Sequence, residues 1–212
     1  MAGIVCSPGI WPPTHLSRIL MRQIAASIRE VKVLDGPMNV RWIFSEAVRA
    51  EDPPFLFYGG HGEPSMLIGE DIITGMVSVE DVTRAPWLVR GRIVVAIPCC
   101  YSAQKFGQAC IKMGARAYLG ATEPMYAAFD AEEHNYFEDW LDYMSAPYAA
   151  LLSGKTVVQA LGRYRERLEH YIQLYRDHLG TWPDADWHLE AATKNLRAVV
   201  LLGDPTATLT RP

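Results

Sequence analysis

The chain of 212 residues carries 20 lysines and arginines against 24 aspartates and glutamates, a net charge of −4, and half of its residues are apolar. Such a composition supports a sizeable core and excludes a disordered segment, and with no basic block it argues against nucleic acid as a partner. Apolar runs of about five residues, such as 93–97, fall short of the roughly 20 that a membrane span needs, so no membrane partner is expected. The first residues, MAGIVCSPGIWPPTH, show no basic segment leading into an apolar run, and the expected location is cytoplasmic. Four cysteines, two of them adjacent at Cys99 and Cys100, are too few for a disulfide scaffold and predict free thiols. The length fits one compact domain over residues 1–212.

Along the chain, short apolar runs alternate with helical patterns. A strand is predicted at 3–6, followed by a helix capped by Thr14 with Leu16, Ile19, Leu20, Ile24 and Ile28 as its apolar stripe. A strand at 31–34 and a helix at 39–48 come next. The strand at 55–58 runs into Gly59-Gly60-His61-Gly62. The strand at 93–97 runs into Pro98-Cys99-Cys100-Tyr101-Ser102 and a helix carrying Phe106, Ala109, Cys110 and Met113, stopped by Gly114. After a strand at 117–119, Asp130 with Glu133 resembles a capping box for a helix bearing Phe137, Trp140, Leu141 and Met144. A long helix over 155–178 follows, with Val157, Leu161, Tyr164, Leu168, Tyr171 and Tyr175 on one face, and a last strand is predicted at 198–202. Continuous apolar strands between helices predict an α/β fold with a mostly parallel sheet covered on both faces.

In such sheets ligands gather beyond the carboxyl ends of the strands, where two strand ends here carry reactive side chains. A cysteine at the start of a helix sees the positive end of the helix dipole, which favours the thiolate and makes a nucleophile. A histidine on a neighbouring strand end moves the proton that acyl transfer requires, and glycines beside it admit a substrate backbone. His61 and Cys100 are thus candidates for a dyad, with the backbone N–H groups of Gly62 and Cys100 as candidate oxyanion-hole donors. Alternation along the strand turns Cys99 and Cys100 to opposite sides without choosing between them, and adjacent cysteines after an apolar strand also read as small core residues.

The segment FLFYGGHG, followed by IVVAIPCCYSAQKFGQACIKMGARAYLGAT with Cys100 39 positions after His61, resembles the caspase-like cysteine peptidases of clan CD. That group includes caspases, legumain, separase, gingipains and CHAT-domain proteases. Gly60-His61-Gly62, Cys100-Tyr101-Ser102 and Gly114-Ala115 fit its pattern. SGKTVVQAL at 153–161 and LLGDPTATL at 201–209 are similar to gingipain-like or CHAT-domain proteases in particular. The resemblance covers roughly residues 55–209. It implies a caspase-haemoglobinase-like three-layer sandwich and a cysteine endopeptidase with Cys100 as nucleophile and His61 as general base. A polypeptide substrate and an activating protein partner are the implied partners. The gingipain-like tail points to cleavage after a basic residue. Glu123 and Asp130 are the candidate substrate-binding carboxylates, though each also reads as a solvated loop acid.

Other motifs carry less. Ser153-Gly154-Lys155-Thr156 resembles the end of a phosphate-binding loop, but Ala149 stands where that loop needs its first glycine. Gly59-Gly60-His61-Gly62 lacks the third glycine of a dinucleotide fingerprint. His134, His170, His178 and His188 sit in charged contexts that read as exposed, with His134 a reserve base, and no spacing resembles a zinc site. No cofactor or metal is therefore expected. Arg163, Arg165, Glu166, Arg167 and Glu169 read as the solvated face of the long helix and its tyrosines as core. A catalytically silent binding module and a thiol-dependent amidase or acyl transferase are the competing readings, because fold does not fix function.

Overall fold

A computed structural model describes residues 2–8, 12–70, 73, 75–129 and 134–210. The elements run β1 (Ala2–Ser7), α1 (Pro12–Ala26), β2 (Glu30–Asp35), α2 (Arg41–Glu51), β3 (Phe55–Tyr58), β4 (Gly62–Glu63), β5 (Met66–Leu67), β6 (Val77–Ser78) and α3 (Val79–Arg84). They continue with β7 (Ile93–Ala96), α4 (Lys105–Lys112), β8 (Ala117–Ala121), α5 (Tyr136–Leu152), α6 (Val157–Asp177), α7 (Ala185–Ala198) and β9 (Val199–Gly203). Six strands form one sheet in the order β2-β1-β3-β7-β8-β9, parallel except where β9 pairs antiparallel with β8. The short strands β4, β5 and β6 form a separate antiparallel sheet directly after the His61 loop.

The apolar sequences of β3 (FLFY) and β7 (IVVA) follow from burial on both faces. Phe55, Phe57, Ile93 and Val95 pack into one core with residues of α1, α5, α6 and α7. Leu56, Tyr58, Val94 and Ala96 pack into the other, against Phe44 and Val48 of α2, Val82 of α3 and Phe106 and Cys110 of α4. The period-two alternation of a strand thus distributes one continuous apolar run between two helical layers. The protein is an α/β fold with a mostly parallel sheet and helices on both faces, as expected from the alternation of runs and helical patterns.

Three local expectations change. Thr14 is not the cap of α1 but lies in its first turn, because the helix begins at Pro12, where a missing N–H costs nothing. The helix predicted to start with Asp130 and Glu133 is instead capped by Asn135, whose side-chain oxygen accepts the Glu138 N–H at 3.0 Å. Asp130 and Glu133 themselves lie outside the described residues. The long helix starts at Val157 under a Thr156–Gln159 capping box, and its Tyr164 and Tyr175 are buried in the core. Among the described residues, no helix is long and apolar enough to cross a membrane.

Candidate active site

The parallel register of Phe55, Leu56 and Phe57 with Ile93, Val94 and Val95 brings the carboxyl ends of β3 and β7 out side by side. The chain after β3 carries His61 and the chain after β7 carries Cys100, and both line one crevice of about 70 Å³. Thr14 and Ser17 of α1, Met125, Tyr126 and Ala127 after β8, and Trp140 of α5 complete much of its wall. The place follows from topology: β1 has β2 on one side and β3 on the other, so the connections diverge there and leave room beyond the strand ends.

Gly62 shows how closely the two loops meet. A Cβ added there would lie 2.3 Å from Cys99 Sγ and 2.5 Å from the Cys100 carbonyl oxygen, so only glycine permits this approach. Of the two candidate oxyanion-hole residues, Cys100 lines the crevice and Gly62 abuts it from the side of the Cys99 thiol.

Buried hydroxyls fix both strand ends. Tyr148 Oη of α5 accepts the Ile97 N–H at 3.2 Å and donates to the Ile97 carbonyl, satisfying the backbone just before Pro98. Tyr58 Oη reaches the carbonyl oxygens of His61, at 2.6 Å, and Ile68. The turn after Cys100 is tied to the exit of β8: the N–H groups of Tyr101 and Ala103 donate to the carbonyls of Glu123 and Ala121, and the Gln104 carboxamide donates to Thr122. Within that turn Tyr101 adopts a φ of +55°, a conformation costly for a bulky residue and held by these bonds. Farther along α1, Arg18 and Arg22 pair with Asp35 at 2.6 and 2.5 Å. Led by the Arg18 hydrogen bond, this pairing holds the carboxyl well below its ordinary range and ties α1 to the sheet.

The two adjacent thiols differ. Cys99 is 1% exposed and packs in the core with Tyr58, Phe106 and Tyr118, where burial pushes its thiol far up from the ordinary value. Cys100 is partly exposed in the crevice. Burial raises its thiol too, the Glu63 carboxylate adds a little, and the Met125 N–H, 3.2 Å from Sγ, acts in the opposite direction. This corrects the electrostatic expectation. Cys100 sits in a turn five positions before Lys105, the first residue of α4, so the N–H groups that favour its thiolate are those of Met125, after β8, and of Cys100 itself rather than those of a helix terminus.

Glu123 has an exposed side chain and meets the Cys100 turn through its backbone carbonyl. Asp130 lies outside the described residues. His134 pairs with Asp139 at 2.7 Å and stacks on Trp182, away from the crevice lining. His188, expected to be exposed, is buried and stacked on Tyr136 at 3.6 Å, because it lies on the inner face of α7, a helix its sequence did not reveal. Ser153-Gly154-Lys155-Thr156 joins α5 to α6 and so has a helix, not a strand, before it. Among the described residues no group of three or more His, Cys, Asp and Glu side chains is placed to hold a metal ion.

Sequence reasoning missed Met125, Asn195 and the inward role of Thr14, Ser17 and Trp140. Trp140 was visible only as part of a helical stripe, and the segment carrying Met125 has no periodicity to read. The sequence matches no protein-family model and no curated protein, so the functional reading rests on the chemistry of this crevice.

Proposed function

We propose that the protein is a cysteine endopeptidase of caspase-like type, working through Cys100 and His61. The observation that carries this reading is that His61 and Cys100 line one crevice at the carboxyl ends of adjacent parallel strands. In the proposed reaction His61 takes the Cys100 thiol proton, and the resulting thiolate attacks the scissile carbonyl to form a tetrahedral intermediate whose oxyanion meets backbone N–H groups of the crevice. His61 gives a proton to the leaving amine, and water then releases the acyl group with His61 acting as base. Cleavage after a basic residue belongs to this proposal, with exposed Glu123, whose backbone carbonyl meets the Cys100 turn, as its partner.

One observation favours a second reading, a catalytically silent binding module. Burial raises the Cys100 thiol, which disfavours the thiolate that a nucleophile needs. An enzyme built this way gains its thiolate when substrate or an activating protein partner completes the site, whereas a binding module needs none.

Intact-mass labelling with peptidyl acyloxymethyl ketones ending in Arg, Lys, Asp, Asn or Leu separates the readings. Labelling of wild type and Cys99→Ala but not of Cys100→Ala or His61→Ala, strongest with Arg or Lys, is the expected outcome. Labelling strongest with another residue would retain the peptidase and remove the basic preference. Folded protein that no probe labels would favour the binding module. Turnover of small amides without peptide cleavage would point to an amidase or acyl transferase.

A further inference from the structure

Asn195 is an anomaly in its helix. Asparagine is a mediocre helix former, and a buried carboxamide is costly unless it is bonded, yet Asn195 is 0% exposed on the alanine-rich inner face of α7. Its bonds account for the cost. Asn195 Oδ1 accepts the Tyr126 N–H at 2.8 Å, and Asn195 Nδ2 donates to the Tyr126 carbonyl at 2.8 Å. A neighbouring strand would offer the same pair of bonds, so one side chain substitutes for a ladder in a segment that has no regular structure. Trp140 Nε1 adds a third bond to the Tyr126 carbonyl at 3.2 Å. Asn195 is braced in turn, because Nδ2 lies 3.4 Å from Tyr143 Oη and its backbone carbonyl accepts from Tyr164 Oη at 3.1 Å.

Met125, the residue before Tyr126, directs its N–H at Cys100 Sγ from 3.2 Å. We propose that Asn195 is a positioning residue for the Cys100 nucleophile: by clamping Tyr126 it holds the Met125 N–H against the sulfur, where that donor stabilises the thiolate. This rests on the reading of Cys100 as nucleophile and extends it to a residue 95 positions away in sequence. Asn195 touches neither thiol nor substrate. It acts through the backbone of Met125 and Tyr126.

The test is the pH profile of Cys100 alkylation by iodoacetamide, followed by intact mass, with Cys100→Ala identifying the signal. Asn195→Ala should move the profile up by about one pH unit and slow alkylation roughly tenfold at neutral pH. Trp140→Phe, which removes one bond to Tyr126, should move it less in the same direction. Met125→Pro removes the donor itself and should shift the profile as Asn195→Ala does, and adding Asn195→Ala to it should shift nothing further. All these variants leave the other titratable groups around the thiol, His61, Cys99 and Glu63, in place. A wild-type profile in folded Asn195→Ala, or in Met125→Pro, overturns the clamp. If Asn195→Ala does not fold, Trp140→Phe and Met125→Pro decide, and wild-type profiles in both overturn it. A profile that shifts as expected in a protein that no peptidyl probe labels would instead overturn the peptidase reading and leave the clamp standing.

Discussion

Cys99 and Cys100 are neighbours in sequence and both border the crevice, but their thiols lie in different surroundings. Cys99 lies under Gly62 in the core between the sheet and α2, α3 and α4, among Tyr58, Phe106 and Tyr118. Cys100 faces the crevice on the other side of the chain, beside Met125 and with His61 in the same wall. Burial raises both thiols; the Met125 N–H meets the Cys100 sulfur and the Ser102 hydroxyl acts on Cys99, and of the two Cys100 is the one partly open to solvent. A reactive cysteine is therefore defined here less by its residue type than by which side of the strand end it leaves from. The core thiol fills space, and the crevice thiol is available for chemistry.

The largest effect expected from this difference is on activity. Cys100→Ala should lower peptide cleavage and peptidyl labelling by on the order of 10⁴-fold or more, since it removes the proposed nucleophile. Cys99→Ala should keep the rate within a few-fold and instead cost about 1–2 kcal/mol of stability through the small cavity it leaves. Comparable losses of rate in the two variants, measured on folded protein, would erase the distinction between the regions.

Gly62 is where the two regions touch. Gly62→Ala places a methyl within 2.3 Å of Cys99 Sγ and 2.5 Å of the Cys100 carbonyl, one of them backbone that cannot yield cheaply. We expect a loss of about 1–3 kcal/mol in denaturant unfolding and a roughly 10- to 100-fold fall in labelling rate as the His61 and Cys100 loops separate. In the Cys99→Ala background only the carbonyl clash remains, so the stability loss should shrink while the rate defect persists. A rate restored by Cys99→Ala would place the obstruction on the core side alone.

How much of this was legible depended on punctuation and period. β3 was readable residue for residue because FLFY is bounded by Pro53-Pro54 and Gly59-Gly60, and the chain before Lys105 announced its reactive pair at a strand end. The burial of Tyr164 and Tyr175 in α6 was readable from their helical spacing, whereas Tyr171 on the same stripe is only half-buried. By contrast α7 buries Ala185, Ala191, Ala192 and Ala198, with His188 and Asn195 among them, so it shows no bulky stripe and His188 reads as exposed. The two-residue strands β4, β5 and β6 are too short for alternation to register. The choice between Cys99 and Cys100 needed the path of the chain, and the Asn195 bond to Tyr126 spans 69 positions that no local pattern links.

Two tyrosines sharpen the comparison further, one in each core layer. Tyr148→Phe leaves the Ile97 N–H without its partner at the base of the cysteine turn, and Tyr58→Phe removes the donor to the His61 carbonyl. Each should cost about 1–3 kcal/mol, because a buried polar group loses its bond. Their kinetic signatures should differ. Tyr148→Phe should alter the alkylation of Cys100 itself, whereas Tyr58→Phe should leave simple alkylation near wild type and slow peptidyl labelling, which also needs His61. Identical signatures would mean that both act only on global stability.

The smallest effect is in the alkaline limb of stability. A thiol whose folded-state value is raised keeps its proton after the unfolded chain has lost it, so its contribution is fully present below about pH 8.5 and is lost as pH rises above that. Cys6, Cys99 and Cys110 are all raised by burial, and each should therefore add a downward slope of on the order of 1.4 kcal/mol per pH unit from about pH 8.5 upward. Cys99→Ala should flatten the unfolding-energy slope between about pH 8.5 and 10 by that amount. Cys100→Ala should flatten it less, since its thiol is partly solvated and the Met125 N–H offsets the rise. The difference between the two slopes measures how far the Cys100 thiol has been freed from the core that holds Cys99, and equal slopes would mean that the crevice gives its sulfur no electrostatic distinction at all.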